Sequence, residues 1–237
     1  MLVFVKLIAE SINNIMSKCQ NQTIAIIDSG IGGVSVLRQL IDKFNSGNYI
    51  YFADNLYMPY GNKNKKWLNI RLKEIINILK KKYNIKLIII ACNTASASLD
   101  EDISGVIKMK FDSTKLYFAT KLTKKNLPNI EIVADSTLAK QIETNIFNPK
   151  AINKIIKHHV KAHKLNNLKE FVLGCTHYEL VKDCFEKHCP NSKVIRNSEK
   201  VIDEIVLDSV CDELNVVVML SQKNKELENK IYKLIRR

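Results

Sequence analysis

The chain has 237 residues, of which 46 % are hydrophobic and 26 % charged, the balance of a globular protein with room for one large domain or two small ones. No apolar run approaches the roughly 18 residues that cross a bilayer as a helix, so no membrane span is expected. The net charge of +13 raises nucleic acid as a partner, but all but five of the 37 basic residues are Lys, scattered among Asn and Ile. With no zinc-finger spacing and no aromatic-rich basic strand, the pattern speaks against a nucleic-acid module. It leaves a basic field that attracts a small dianion.

Residues 1–22 begin "MLVFVKLIAESINNIM". A basic leader and an A-x-A-like cleavage site are both missing, so the segment reads as an extension and not as a signal peptide. "TIAIID" (23–28) is the first buried strand, and "VSVLRQLIDKF" (34–44) has helical spacing. "YIYFAD" (49–54) is a strand, 67–83 a helix, and "IKLIIIAC" (85–92) the third strand. Short Val/Ile runs with helices between them indicate a parallel sheet covered on both faces. The rhythm returns more loosely in strands at 115–120, 130–135, 170–175, 193–197 and 215–220. Helices are expected near 137–146, 151–163, from His177, near 199–210 and at the end of the chain. No Pro/Gly-rich linker divides the sequence.

Ligands of open α/β sheets bind beyond the carboxyl ends of the strands, and four such ends carry chemistry here. "IIDSGIGG" supplies Asp28 and Ser29 before a glycine turn. "FADNLYMPYGNK" supplies Asp54, Pro59, Tyr60 and Gly61. "IIACNT" supplies Cys92, Asn93 and Thr94, and "VLGCTH" supplies Cys175, Thr176 and His177. Gly30, Gly32 and Asp54 imitate a dinucleotide fingerprint, but Ser35 occupies its third glycine position and the reading fails. The six cysteines (19, 92, 175, 184, 189, 211) contain no C-x-x-C pair, which suits a reducing cytoplasm. The spacing of "CFEKHC" (184–189) is not that of a standard zinc site, and no metal is expected.

Two thiols that each end a strand, each followed by hydrogen-bond donors, are a distinctive pair. Inverting an α-carbon requires removing a proton from one face and delivering one to the other. Two facing acid/base groups do this without a cofactor, and a thiol titrates close enough to neutrality to serve. His177 can tune the neighbouring thiol and shuttle its proton. Backbone amides with the hydroxyls of Thr94 and Thr176 suit a carboxylate.

In these stretches the sequence resembles the glutamate racemases of the aspartate/glutamate racemase superfamily. "IAIIDSGIGGVSVLRQL", "YFADNLYMPYGNK", "IIIACNTASA" and "FVLGCTHYEL" occur in the family's order. The resemblance implies an α/β fold of two similar three-layer domains with mostly parallel sheets and the site in the cleft between them. It places residues 23–97 plus 199–237 in the first domain and 98–198 in the second. The implied activity is cofactor-independent interconversion of L- and D-glutamate, with the product feeding peptidoglycan. Cys92 would take the proton from D-glutamate and Cys175 from L-glutamate, assisted by Asp28 and His177 respectively. Ser29, Asn93, Thr94 and Thr176 would hold the amino and α-carboxylate groups, and Pro59-Tyr60-Gly61 would meet the side-chain carboxylate. Thr120 matches a family threonine, and Glu143 falls where a family glutamate supports the histidine. The chain departs from the pattern in a shortened second domain, at Asp135-Ser136 in place of Cys-Pro, and at Arg196-Asn197 in place of Asp-Ser. A homodimer is an open expectation. An aspartate racemase and a non-catalytic binder of acidic amino acids are the alternative readings.

Overall fold

The computed structural model describes residues 23–83, 85, 87–207 and 213–237. The 1–22 extension lies outside the described residues, as do Cys19 and Cys211. Every residue of strand β1 (Thr23–Asp28) is buried, which a strand achieves only in the middle of a sheet covered on both faces. Its parallel neighbours are β2 (Gly47–Ala53) and β3 (Leu87–Ile90). Beyond them lie β9 (Leu214–Leu220) and β4 (Val106–Lys108), giving the order β4-β3-β1-β2-β9 with all pairs parallel.

Strand side chains alternate between the two faces, and each face has its own helical cover. Ile24, Ile26, Tyr49, Tyr51 and Ile89 share a core with Val36, Leu37 and Leu40 of helix α1 (Val34–Phe44). Ala25, Ile27, Ile50, Phe52, Ile88 and Ile90 pack with Leu68, Leu72, Ile75, Ile76 and Leu79 of α2 (Lys65–Tyr83). The spacing of the α2 residues is that of one helical stripe.

The second sheet is also all-parallel. Its order is β6-β5-β7-β8, formed by β5 (Leu116–Thr120), β6 (Glu131–Asp135), β7 (Glu170–Gly174) and β8 (Lys193–Arg196). One face, through Phe118, Phe171 and Leu173, joins the same core as α1, so the two sheets share one apolar mass. Into it pack α5 (Leu138–Asn145), α6 (Pro149–Ala162), α7 (Thr176–Glu179) and α8 (Lys182–His188). The other face has a thin cover. Tyr117, Ala119, Ile132 and Val172 are buried there with Phe111, Leu127 and Ile195 half-buried around them. That thinness is the physical form of the shortened second half: α4 (Lys121–Asn126) has only six residues.

Three features differ from the sequence reading. Residues 106–108 pair in register with β3, so they belong to the first sheet and not to the second unit, where a boundary at 97/98 puts them. The helix expected over 199–210 is α9 (Ser198–Glu204), and the backbone turns extended at Ile205. The helix expected from His177 is broken into α7 and α8 at Leu180–Val181.

The two sheets meet at their carboxyl ends, and Gly32 permits the approach. A Cβ on Gly32 would lie 2.3 Å from Thr176 Oγ1 and 2.7 Å from His177 Nδ1. Gly32→Ala therefore has to push the turn after β1 away from the turn after β7. Overpacking of this kind costs on the order of 1–3 kcal/mol, and the expected result is a lowered thermal midpoint together with a larger loss of turnover. Unchanged melting and unchanged turnover would show that the two turns do not bear on each other.

Candidate active site

Each sheet delivers its chemistry at strand ends, where the backbone leaves the ladder and side chains face the opposite sheet. Asp28, the last residue of β1, is fully buried. The Gly30 amide donates to Asp28 Oδ1 at 2.9 Å, and the Thr176 hydroxyl donates to Oδ2 at 3.1 Å. Burial raises the Asp28 pKa, opposed by the charge of His177 and by these hydrogen bonds.

Cys92 follows β3 and begins the single turn α3 (Asn93–Ser96). Burial pushes its pKa well up, and the nearby Asp28 charge pushes in the same direction, while the amides of Ala95 and Thr94 pull it back. The thiol is thus held protonated.

Cys175 follows β7 and begins α7. Its setting differs in kind. His177 neighbours Cys175, and its Nε2 lies 2.5 Å from Glu143 Oε2. Burial opposes a charge on the ring, but the interactions with Cys175 and Glu143 outweigh it and hold the His177 pKa well above the ordinary imidazole value. Glu143 answers in the opposite sense: burial would raise it, yet the bond to His177 and its charge hold it down. Glu143, His177 and Cys175 thus stand in line, with His177 biased toward its charged form.

Small polar groups tie the two sides together. The hydroxyls of Thr94, Thr120 and Thr123 form a ring with separations of 3.0, 3.0 and 2.9 Å, linking the turn after β3 to the one after β5. Asn197 donates from Nδ2 to Asn93 Oδ1 at 2.6 Å. Asn93 Nδ2 is buried and has no hydrogen-bond partner among the described residues. It is a donor aimed at an acceptor the protein does not supply.

Asp54 has another duty. Arg71 grips it through Nε (3.0 Å) and a terminal nitrogen (2.8 Å), and the Tyr60 hydroxyl donates to it at 2.7 Å. Both carboxylate oxygens are engaged and the group is fully buried, so Asp54 fixes the 59–61 turn and is not presented to a ribose. Tyr60 is buried with its hydroxyl committed, while Gly61 lies beside Thr120, whose Cβ would be 4.0 Å from an added Cβ. Ser29 is buried next to Asp28.

Structure therefore brings Asp28, Cys92, Asn93, Thr94, Thr120, Glu143, Cys175, Thr176 and His177 to one junction. Sequence reasoning missed three residues that shape it. Thr123 completes the hydroxyl ring, Arg71 holds Asp54, and Asn197, read only as a departure from the family, orients Asn93. Arg71 carried a signal, since it is an isolated Arg in a Lys-rich chain; Thr123 and Asn197 carried none.

No family model matches the chain. Among curated relatives, Glutamate racemase of Buchnera aphidicola subsp. Schizaphis graminum is 35 % identical over 186 residues, 66 % of this chain and 73 % of the relative. Glutamate racemase 3 of Caldanaerobacter subterraneus subsp. tengcongensis is 29 % identical over 209 residues, 77 % and 76 % of the two chains. The solved glutamate racemase of Francisella tularensis subsp. tularensis SCHU S4, in complex with D-glutamate, superposes with a TM-score of 0.69 at 21 % identity, covering 92 % of this chain and 94 % of that one. Two parallel sheets meeting end to end around paired thiols define an α/β isomerase of the amino-acid racemase type. The chain belongs to the glutamate racemase family.

One buried carboxylate gives the junction a pH signature. Glu179 accepts from the Ser198 hydroxyl (2.6 Å) and amide (3.2 Å) and from the Ser35 hydroxyl (3.2 Å), clamping α1, α7 and α9. Burial outweighs these bonds and raises its pKa from 4.5 to about 7. A raised carboxylate binds its proton more tightly in the folded state. Its stabilising effect is complete below the unfolded value of 4.5 and is lost as pH climbs to about 7. The expected loss across that window is on the order of 3 kcal/mol. In urea titrations at pH 4.5, 6 and 7.5, Glu179→Gln should flatten this slope relative to the parent chain. Parallel pH profiles for the two would rule out Glu179 as its source.

Proposed function

We propose that this chain racemises glutamate by proton transfer between Cys92 and Cys175 acting on opposite faces of the α-carbon. The observation that carries the reading is that two buried thiols, each ending a strand at the junction, stand beside groups of opposite charge. Cys92 lies beside a carboxylate and is held as the thiol, while Cys175 is paired with a protonated imidazole backed by Glu143.

Acting as base, Cys175 takes the α-proton of L-glutamate. The electron pair is left on the α-carbon beside the carboxylate, and Cys92 delivers its own proton to the other face. The product is D-glutamate, and the two thiols have exchanged protonation states. The reverse reaction starts from that exchanged state, with Asp28 assisting Cys92. Asn93 Nδ2, Ser29, Thr94 and Thr176 bind the amino and α-carboxylate groups. The Pro59-Tyr60-Gly61 turn, with Thr120, meets the distal carboxylate. The lysine-rich surface favours approach of a dianionic substrate. No cofactor takes part in these steps, and the product serves peptidoglycan synthesis in the cytoplasm.

Chiral analysis of incubations with L-glutamate, D-glutamate and both aspartates tests the substrate. Turnover of aspartate alone would overturn the choice of glutamate. In heavy water the two faces separate. Cys92→Ser and Cys175→Ser should each lower racemisation at least ~10²–10⁴-fold, the usual worth of a positioned proton transfer. The Cys175→Ser chain should keep α-proton exchange with D-glutamate, and the Cys92→Ser chain with L-glutamate. Equal exchange of both enantiomers in either variant contradicts the assignment of faces. Folded, reduced parent protein that exchanges neither enantiomer is a binder and not a racemase.

A further inference from the structure

We propose that Asp135, His159 and His163 form a site for a divalent transition metal, of the kind zinc occupies, separate from the thiols. Asp135 ends β6, an outer strand of the second sheet, and β5 stands between it and the Cys175 strand. His159 lies in the last turn of α6 and His163 just follows that helix. The four-residue spacing puts both rings on one side of the helix, and the His163 amide donates to the His159 carbonyl at 3.0 Å, keeping the turn helical. The rings lie nearly parallel at 14° with centroids 6.0 Å apart.

Three potential ligand atoms converge. Asp135 Oδ2 lies 3.1 Å from His159 Nδ1 and 3.0 Å from His163 Nε2, and all three atoms fall within 4.8 Å of one another. Bonds of roughly 2.0–2.1 Å in a tetrahedron separate a pair of ligand atoms by about 3.3 Å, so a small outward shift admits the ion. Two histidines and one carboxylate, with a water as fourth ligand, are a recognised donor set for zinc.

The outer contacts are those a metal site needs. Asp135 Oδ1 is committed to the amides of Thr137 (2.6 Å) and Leu138 (2.7 Å) and the Thr137 hydroxyl (3.1 Å), which leaves Oδ2 to face the histidines. His159 Nε2 lies 2.8 Å from Gln141 Oε1. An amide oxygen only accepts, so Nε2 carries the ring hydrogen, and in the neutral ring Nδ1 presents its lone pair. That Nδ1 is buried without a hydrogen-bond partner among the described residues, although a carboxylate oxygen is 3.1 Å away. In that tautomer Nδ1 faces Asp135 Oδ2, the oxygen that His163 Nε2 also approaches at 3.0 Å, and a cation placed among the three atoms would satisfy all of them. Ligating histidines usually donate their other N–H in this way, with the carboxylate ligand itself held by hydrogen bonds.

The racemisation described above does not use these residues. At Asp135-Ser136 the family pattern of Cys-Pro is replaced, and the replacement supplies the carboxylate. A metal here would clip the end of β6 to the end of α6 in the half of the molecule with the thinner apolar cover. Binding only to the folded form, it would add stability by mass action.

The test uses the full chain, reduced and free of any affinity tag, dialysed against EDTA and titrated with Co²⁺ and then Zn²⁺. The expected result is one equivalent of Co²⁺ with the visible absorption of a four-coordinate ion and no thiolate-to-cobalt charge transfer. Zn²⁺ should displace it and raise the melting temperature. Asp135→Asn and His163→Gln should each weaken binding at least tenfold and abolish the Zn²⁺-dependent rise. His163 is partly exposed, so His163→Gln is expected to stay folded, which circular dichroism checks. Failure to bind at millimolar Co²⁺, thiolate bands in the spectrum, or equal affinity in both variants would overturn the proposal. So would an NMR spectrum showing His159 doubly protonated in metal-free protein whose shifts Zn²⁺ leaves unchanged, because the cluster is then an ion pair.

Discussion

Everything in this molecule depends on two parallel sheets meeting at their carboxyl ends. Parallel strands expose their final residues on one edge, and here both edges point at each other. The hydrogen bond from Thr176 to Asp28 crosses that junction, joining residues 148 positions apart in the chain. Around it, polar groups are buried because partners on the other sheet satisfy them. Ser35 and Ser198 clamp Glu179, Asn197 clamps Asn93, and three threonine hydroxyls close on one another. A buried polar group left unpaired costs roughly 1–3 kcal/mol, so a junction this polar holds only in one relative placement of its parts. The shared apolar core supplies adhesion without direction; the crossed hydrogen bonds supply the register.

The junction treats its two thiols unequally, and the inequality follows from neighbours and not from the thiols themselves. Both are buried to the same 7 % exposure and both open a one-turn helix. What separates them is a carboxylate beside one and an imidazole beside the other, the latter made cationic by a second carboxylate. Asp28 and His177 also act on each other: the His177 charge moderates the Asp28 pKa. Charge on one side of the junction is thus balanced on the other, which keeps a pair of buried ionisable groups tolerable.

The parts legible in the sequence were those written in contiguous residues. "TIAIID" and "LIII" announce buried parallel strands because apolar runs of that length have nowhere else to go. Cys92 and Cys175 stand out because each ends such a run. Glu143 came only from resemblance, since nothing in "KQIETNIF" says that one glutamate will meet a histidine 34 residues later. Thr123 and Asn197 were silent for the same reason, being polar residues whose partners are fixed by how the sheets dock. The Gly30/Gly32/Asp54 pattern was ambiguous locally, and Arg71, 17 residues beyond Asp54, resolves it by occupying the carboxylate. Strand β4 was assigned to the wrong half because three residues of moderate burial carry no periodicity of their own.

The same logic extends to the groups the junction leaves unanswered. Asn93 has its oxygen fixed by Asn197 and its amide nitrogen buried with no acceptor among the described residues. The 2.6 Å bond to Asn197 fixes the position of the Asn93 amide at the junction. Asn93 Nδ2 and the Tyr178 hydroxyl are both buried without a hydrogen-bond partner among the described residues, and an oxygen brought to the first would satisfy it. A carboxylate supplies that oxygen with a full charge, and a charge-assisted bond is roughly twice as strong as a neutral one. Asn197 is therefore a working part of the junction. It hydrogen-bonds the residue that follows Cys92 from the far sheet, so that closing the junction and pairing Asn93 are one event.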